Sequence, residues 1–261
     1  MARERTYRCE AVVLRRVNFG EADRLLTLYS REFGKIMGIA KGARKPQSRK
    51  TGHVELFTHS RFFMAKGRNL DIITQAETIE PYMALRADLV RATYASYAVE
   101  LLDRFTVEED QHLGLYDLLV NGLGWFATVE DVLLAARYYE LRLLSLTGFQ
   151  PQFFQCVSCG EAVLEQDQFF SVEMGGFLCP DCAHADRNAL PVTAVTVKVL
   201  RYLQTRPWAV VEHLRLKKPL LHDLERVMHA YITHTLERNL KSVDFLHRLR
   251  QEAALFAGDE E

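Results

Sequence analysis

Two closely spaced pairs of cysteines constrain the fold of this chain more than any other sequence feature. Cys156 and Cys159 form one C-x-x-C pair, and Cys179 and Cys182 form a second pair after nineteen intervening residues. Each pair brings two sulfur atoms to one side of a cation, and two pairs complete a tetrahedral shell. Two disulfides or four unrelated buried thiols are the alternatives, but a doubled pair rarely arises by chance in a chain with five cysteines. The sequence therefore predicts one structural Zn²⁺ ion per chain, bound by these four cysteines.

The residues around the cysteines favour the tight turns of such a metal site. Gly160 follows the first pair, where the turn requires a positive φ, and Pro180 lies inside the second pair. His184 is near enough in sequence to be a ligand, but four cysteines already complete the shell. A closed shell leaves no coordination position for water, so the site is predicted to be structural and not catalytic.

No motif in the sequence indicates an enzyme. The Walker-type G-K-[ST], the zinc-protease H-E-x-x-H and the G-x-S-x-G patterns are absent. The run from Gly122 to Ala127 matches the dinucleotide-binding fingerprint formally, but residues 115–120 have a helical period and no βαβ unit surrounds them. We therefore predict a protein without catalytic chemistry.

The first 80 residues have the pattern of a small β-barrel. Five β-rich runs alternate with turns, and the longer polar segment 41–52 follows the third run. The predicted strands are residues 8–17, 24–30, 35–40, 54–64 and 70–79. An extra element between the third and fourth strands is typical of the OB fold, although an SH3-like barrel fits the same pattern. Cys9 is interpreted as a small core residue.

From Pro81 onward the apolar residues recur at helical spacing. One apolar face runs from Leu85 to Phe105, and a second stripe covers residues 115–126. Thr128 is the predicted N-cap of a third helix, because its hydroxyl can accept the amide N–H of Asp131. These helices are predicted to form a bundle.

Short strands and then two helices are predicted around and beyond the cysteines. Residues 168–172 and 175–178 are predicted as short strands that return the chain to the second cysteine pair. Thr193 is predicted to cap a helix that ends at Arg206, and residues 220–235 predict a long amphipathic helix.

These patterns together predict an α+β chain of several domains. The fold class is an N-terminal OB-fold β-barrel followed by an α-helical bundle with an embedded four-cysteine, zinc-finger-like module. The predicted domains are the barrel at 1–80, the first part of the helical domain at 81–148, the cysteine module at 149–190 and the C-terminal helical part at 191–261.

The charge distribution points to a polyanionic partner for the barrel. Residues 1–80 carry 16 Lys and Arg against 9 Asp and Glu, a net of +7, whereas the remaining residues carry 17 against 25, a net of −8. The segment 41–50 has five positive charges and no acid. Cations that track phosphates are a requirement of nucleic-acid binding. The predicted nucleic-acid-binding residues are Arg15, Arg16, Lys35, Lys41, Arg44, Lys45, Arg49, Lys50, Arg61, Lys66 and Arg68.

Single-strand binding also requires flat side chains on which bases stack. The aromatic candidates are Tyr29, Phe33, Phe62 and Phe63, although strand aromatics more often belong to a core. The alternative interpretation of segment 41–50 is a solvated surface turn that binds no nucleic acid. A second hypothesis is a non-enzymatic adaptor whose basic barrel binds an acidic protein partner.

The order and spacing of these features resemble the bacterial RecO family of DNA repair and recombination mediator proteins over nearly the full length. The residues that carry the resemblance are 11–15 and 19–25 for the first hairpin, 41–45 with 48–49 for the basic segment, 148–151 before the cysteines, and Lys241, Ser242, Phe245 and Leu246 near the C-terminus.

This resemblance implies binding of single- and double-stranded DNA, annealing of complementary strands, and loading of the recombinase RecA onto strands covered by single-strand-binding protein. The implied partners are RecR and the acidic C-terminal tail of single-strand-binding protein, with RecA as an indirect partner. Arg137 and Arg142 are candidates for binding that tail. Some family members lack the cysteines, which agrees with a structural role for zinc.

The sequence has no feature of a secreted or membrane protein. The N-terminus lacks the apolar core of a signal peptide, and no apolar run approaches the length of a membrane span. Together with the reduced thiols that a zinc site implies, this predicts a cytoplasmic protein, and the resemblance adds a bacterial, nucleoid-associated location.

Overall fold

The computed structural model describes residues 5–236. The chain divides into two compact units, residues 1–128 and 129–261. In the first unit the elements are β1 Thr6–Phe19, β2 Asp23–Ser30, β3 Gly34–Ala40, β4 His59–Ala65, β5 Asp71–Glu80, α1 Met83–Ala87, α2 Leu89–Phe105 and α3 Leu113–Thr128. In the second unit they are α4 Val132–Leu146, β6 Gln168–Ser171, β7 Gly176–Leu178, β8 Leu190–Val192, α5 Ala194–Thr205, α6 Trp208–Val211 and α7 Lys218–Leu236. The C-terminal residues Lys241 to Leu246 that contribute to the resemblance lie outside the described residues.

Strands β1 to β5 close into a barrel in the order β1-β2-β3-β5-β4. The β3–β5 pair is parallel and the other pairs are antiparallel. The long strand β1 pairs with β2 on one side and with β4 on the other, which closes the barrel. This architecture confirms the predicted OB-type barrel.

The barrel core draws on all five strands and on the segment between β3 and β4. Its buried residues are Cys9, Ala11, Val13, Leu26, Leu28, Ile36, Ala40, Ala43, Val54, Phe62, Met64 and Ile73. The prediction of a strand over 54–64 was wrong at its start. A 3₁₀ helix occupies Thr51–Val54 and puts Val54 into the core, and Phe57 has a positive φ of 68° that is incompatible with a strand.

Helices α2 and α3 pack against each other in the first unit, with the rings of Tyr94 and Phe126 stacked at a centroid distance of 6.5 Å. The predicted apolar face from Leu85 to Phe105 is divided, because Asp88 accepts the N–H of Arg91 and starts a new helix. Residues 122–127 lie within α3. These residues therefore do not form the strand-to-helix turn of a dinucleotide-binding site.

Helix α4 begins at a different cap from the predicted one. The carboxylate of Asp131 accepts the N–H groups of Leu133 and Leu134, both at 3.1 Å. Thr128 is instead the last residue of α3, and its hydroxyl donates to the carbonyl of Gly124. A carboxylate at the positive end of a helix is a stronger acceptor than a hydroxyl, which explains why Asp131 takes the cap.

Helices α4, α5 and α7 pack on one another in the second unit. The hydroxyl of Thr193 accepts the N–H of Thr196, and α5 ends before Arg206, as predicted. The two short strands predicted here are present as β6 and β7, which pair antiparallel, and β8 adds a third strand on the far side of β6. Every helix within residues 5–236 is too short or too polar to cross a membrane.

Candidate metal centre and nucleic-acid interface

The four cysteines of the C-x-x-C pairs meet at one point of the second unit. Their sulfur atoms all lie within 4.8 Å of one another, and all four thiols are free of disulfides. The Sγ atoms of Cys159 and Cys179 are 3.9 Å apart. Four sulfurs at about 2.3 Å from a tetrahedral Zn²⁺ ion lie about 3.8 Å from one another. The cluster therefore has the ligand type, number and spacing of a closed metal shell.

Backbone hydrogen bonds hold the first cysteine pair in a tight turn. The N–H of Gly160 donates to the carbonyl of Cys156 at 2.9 Å, and Gly160 has the predicted positive φ, at 80°. The N–H of Val157 donates to the carbonyl of Phe177, which ties this turn to β7. In the second pair the N–H of Cys182 donates to the carbonyl of Cys179. Backbone bonds thus shape both cysteine turns and tie the first of them to β7.

The protonation of the thiols shows why this cluster suits a cation. Burial opposes ionisation of Cys156, but N–H groups of Cys159, Cys179 and Ser158 lower its pKa to about 6. The hydrogen bond with Cys179 raises the pKa of Cys182 to about 12. One sulfur thus ionises readily while another keeps its proton, since thiolates in contact repel each other. A divalent cation removes that repulsion and favours four thiolates.

An aromatic core fixes the cysteine module to the helices of its own unit. The rings of Phe153, Phe170 and Phe177 are fully buried, and Phe170 packs edge-on against Tyr231 of α7 at 5.6 Å. From α5, Arg201 donates to the carbonyls of Phe153 and Val163 at 2.7 and 2.6 Å. These contacts anchor the segment that leads into the first cysteine pair.

The outward-facing side chains of β1, β2 and β3 form a second candidate site. A bulge between Val13 and Arg15 shifts the register of β1 by one residue. Beyond it, Arg15 lies opposite Thr27, and Val17 lies opposite Leu25, while Leu26 and Leu28 stay in the core. We call this surface the outer barrel face, and its residues are Arg15, Val17, Phe19, Leu25, Thr27 and Met37.

The outer barrel face is unusually apolar for an exposed surface. Val17 is 45% exposed, Phe19 is 51% exposed and Met37 is 39% exposed. None of these three residues was predicted from the sequence to belong to a binding surface. Ala11 and Val13 point into the core, so strict alternation places Val17 and Phe19 inside as well, and the bulge reverses that assignment.

The segment 41–50, here the basic segment, is bonded to the hairpin that joins β1 and β2. The N–H of Gly42 donates to Asp23 Oδ1 at 2.7 Å, and the N–H of Arg44 donates to the carbonyl of Ala22 at 2.9 Å. The guanidinium of Arg44 also donates to the carbonyl of Gly20 at 3.2 Å. The basic segment is thus a shaped loop held beside the tip of the outer barrel face.

Several predicted cations are exposed and carry no acidic partner within residues 5–236. They are Arg15, Lys41, Lys45, Arg49 and Arg68. Lysine and arginine side chains without a bound carboxylate are available to phosphate at no cost in broken ion pairs. Three of the five lie in the basic segment, one lies on the outer barrel face, and Arg68 lies in the β4–β5 loop.

Other predicted cations are committed to internal contacts. Arg16 pairs with Glu55, which also binds Arg24 at 2.8 Å. The Nζ atom of Lys35, on a side chain only 12% exposed, donates to Asp103 Oδ1 and to the carbonyls of Asp103 and Thr106.

Lys50 and Arg61 are also occupied. Lys50 donates to the carbonyl of Ile73, and burial lowers its pKa although the charge of Asp23 opposes this. Arg61 pairs with Glu10 at 2.8 Å and with Glu77 at 3.6 Å. For these reasons we leave the four cations with internal partners, Arg16, Lys35, Lys50 and Arg61, out of the candidate contact surface.

Lys66 lies in an acidic setting. Its Nζ sits over the ring of Tyr7 at 5.1 Å from the centroid, and Tyr7 donates to Asp71 at 2.7 Å. The adjoining cleft of about 630 Å³ is also lined by Glu32 and Glu109. Carboxylates in that number repel phosphate, so we leave Lys66 out as well.

Two of the aromatic stacking candidates are corrected by the structure. Tyr29 and Phe62 are fully buried and present no ring face to a ligand. Phe33 is partly exposed and packs edge-on against Tyr7, and the guanidinium of Arg8 covers Phe63 at 4.3 Å.

The two arginines considered for the acidic tail have internal partners on α4. Arg137 is buried and pairs with Glu140 at 2.7 Å. The guanidinium of Arg142 lies over the ring of Tyr138 and donates to the carbonyl of Arg206 at 2.6 Å. Both side chains therefore stabilise the second unit.

Comparison with protein families matches both parts of the chain to one protein. Residues 1–82 match the N-terminal region of recombination protein O, and residues 86–244 match its C-terminal region. The chain belongs to the RecO family.

The DNA repair protein RecO of Roseiflexus sp. strain RS-1 is 42% identical over 249 residues, which cover 95% of this chain and 88% of that protein. RecO of Desulforamulus reducens is 37% identical over 93% of this chain and 94% of its own length. RecO of Dehalococcoides mccartyi strain 195 is 32% identical over 95% and 98%. The RecO resemblance seen in the sequence is confirmed, and the chain is a member of a DNA repair family.

Proposed function

We propose that this chain is a recombination mediator that binds single- and double-stranded DNA and anneals complementary strands. In this proposal it also helps to load the recombinase RecA onto strands covered by single-strand-binding protein, and it performs no catalytic chemistry. One observation carries the proposal beyond family membership. The basic segment is hydrogen-bonded to the β1–β2 hairpin, so its unpaired cations flank the exposed apolar residues of the outer barrel face.

The physical basis of annealing is charge neutralisation. Each phosphate bound by a lysine or arginine releases condensed counterions, which makes binding favourable and dependent on salt. Two strands held on one positive surface repel each other less than they do in solution, so complementary bases meet more often. The proposed contact residues are Arg15, Lys41, Arg44, Lys45, Arg49 and Arg68, with residues 1–80 as the DNA-binding domain.

Membership of the RecO family supports the proposed partners and location. The proposed partners are RecR and the acidic tail of single-strand-binding protein, and the proposed location is the bacterial cytoplasm, in association with the nucleoid. We propose that Cys156, Cys159, Cys179 and Cys182 bind one structural Zn²⁺ ion, in a module of residues 149–190 between helical parts at 81–148 and 191–261. The four thiolates would fill the shell of the ion, so its role is to hold the module together.

A fluorescence-polarisation titration with a bare labelled single strand at low salt tests DNA binding. We expect saturable binding, and acceleration of the pairing of two complementary strands coated with single-strand-binding protein. No binding to the bare strand at low salt would contradict the proposal and favour the adaptor hypothesis, in which the basic barrel binds an acidic protein.

A further inference from the structure

Phe19 is the aromatic residue of the outer barrel face and the most exposed of its apolar side chains. It is 51% exposed at the last position of β1, opposite Asp23 and next to Gly20, which has a φ of 54°. Exposure of this much apolar surface to water is unfavourable, and a phenylalanine here gives the folded barrel no core packing.

The backbone around Phe19 is held from both sides. The carbonyls of Gly20 and Ala22 accept hydrogen bonds from the side chain and the N–H of Arg44. Asp23, the cross-strand partner of Phe19, accepts the N–H of Gly42. The ring is therefore displayed at a braced hairpin tip and not on a loose loop, which reduces the entropy lost when a ligand binds.

Charge complementarity identifies the kind of ligand that fits this ring. Arg15 lies on the same face, two outward positions before Phe19, and the unpaired cations Lys41, Lys45 and Arg49 lie in the bonded basic segment. The carboxylate opposite Phe19, Asp23, is bonded to the N–H of Gly42, while the cations beside the ring have no acidic partner among the described residues. A flat apolar ring next to such cations matches a ligand with flat apolar faces on an anionic backbone. Unpaired nucleobases have such faces, whereas the bases of a duplex stack on each other and hide them.

We infer that Phe19 is the base-stacking residue of this surface and gives it a preference for single-stranded over double-stranded DNA. This deepens the proposed function and depends on it. The cations bind the phosphates of either form, while Phe19 binds only bases that have left a helix. A base held on Phe19 keeps its hydrogen-bonding edge free, because stacking uses the face of the base and pairing uses its edge.

A set of three variants and three DNA probes tests this inference. The variants are Phe19→Ala, Phe19→Trp and, as a control, Leu164→Ala, which removes an apolar side chain 62% exposed in the second unit. The probes are an oligo-deoxythymidine, an abasic strand of equal length and a duplex, each titrated by fluorescence polarisation. Since Phe19 is exposed, Phe19→Ala is expected to fold normally, as checked by circular dichroism.

We expect Phe19→Ala to bind oligo-deoxythymidine roughly 5- to 100-fold more weakly, the range found when one stacking ring is removed. Its affinity for the abasic strand and for the duplex is expected to match wild type within about twofold, with an unchanged salt slope. Phe19→Trp is expected to retain binding, and its added tryptophan emission is quenched by oligo-deoxythymidine but not by the abasic strand. Leu164→Ala is expected to bind all three probes as wild type does.

Two results would overturn the inference while leaving the proposed function intact. One is Phe19→Ala binding oligo-deoxythymidine as tightly as wild type. The other is an equal loss of affinity for all three probes, which indicates a structural role. Failure of the wild-type protein to bind any probe at low salt would instead remove the proposed function, and the inference with it.

Discussion

The carboxylate of Asp23 accepts the backbone N–H of Gly42 at 2.7 Å, and this bond joins the β1–β2 hairpin to the basic segment. An acidic side chain at this place is unexpected on simple electrostatic grounds, because a carboxylate near a phosphate weakens DNA binding. Its position indicates that Asp23 organises the backbone of the basic segment, whose cations are proposed to bind DNA.

Two substitutions of Asp23 separate its charge from its hydrogen bond. Asp23→Asn and Asp23→Ala both remove the charge, but only asparagine keeps an oxygen that can accept the N–H of Gly42. We expect the alanine variant to bind single-stranded DNA roughly 3- to 10-fold more weakly than the asparagine variant, since a hydrogen bond contributes about 1 kcal/mol. Polarisation titrations at one salt concentration measure the ratio, and equal affinities would show that this bond does not position the segment.

Lys35 and Lys41 are expected to have opposite roles although both are lysines of the barrel. Lys35→Met removes three contacts to the end of α2, so we expect a loss of roughly 2–4 kcal/mol in the free energy of unfolding and an unchanged salt slope of DNA binding. Lys41→Met removes an exposed cation that has no acidic partner within residues 5–236, so stability should change by less than about 0.5 kcal/mol while the slope falls by about 0.7. Urea unfolding and salt titrations of both variants check this crossed pattern, and a fall in slope for Lys35→Met would contradict it.

The contrast between these two lysines shows where sequence reasoning stops. Composition and spacing predicted a basic barrel, and both residues fit that description equally. Which cation is free depends on where α2 ends, and this is set by packing between segments about 70 residues apart in sequence. The same limit applies to Phe19, because one bulge after Val13 reverses which side chains of β1 face outward.

Features governed by local chemistry were easier to predict. Each C-x-x-C turn fixes two sulfurs by its own backbone, and the cap at Thr193 depends on a residue only three positions away. The prediction that Thr128 caps α4 was wrong for an equally local reason, because the carboxylate of Asp131 is a better acceptor at the start of the same helix.

Removal of the metal is expected to loosen one part of the chain. We expect one zinc per chain by elemental analysis, and chelation should expose the amides of residues 152–182 to hydrogen exchange while β1 to β5 stay protected. Zinc sites of this type contribute roughly 10 kcal/mol or more to folding, which explains the expected loss. Cys159→Ser should abolish zinc binding, whereas Cys9→Ser, which changes the thiol in the barrel core, should leave the zinc content at one. A zinc-free protein with the same exchange pattern would contradict the metal assignment.

Stability is expected to fall at mildly acidic pH because of His59. Burial lowers the pKa of His59, and its Nε2 atom lies 2.7 Å from the hydroxyl of Tyr116. The unfolded chain therefore binds a proton at this histidine more readily than the folded chain does. The free energy of unfolding decreases as the pH falls below about 6.5, the pKa in the unfolded chain, and it becomes constant again below the lower pKa of the folded chain. The slope from this residue is at most about 1.4 kcal/mol per pH unit.

The variant His59→Gln should flatten this part of the pH profile, as measured by urea unfolding between pH 7 and pH 5. His222→Gln, at an exposed histidine of α7, serves as the matched control and should leave the profile unchanged. An identical slope in wild type and His59→Gln would show that another group governs the acid sensitivity.

The unpaired cations of the basic segment are proposed to bind DNA phosphates. The most direct measurement is the salt dependence of single-strand affinity for Lys41→Gln/Lys45→Gln/Arg49→Gln, compared with Arg187→Gln/Lys217→Gln/Lys218→Gln. The control removes the same charge from exposed cations that have no acidic partner among the described residues of the second unit. We predict that the slope of log K against log salt falls by about 2 in the first variant and stays at the wild-type value in the control. An unchanged slope in the first variant, or an equal fall in both, would contradict the claim.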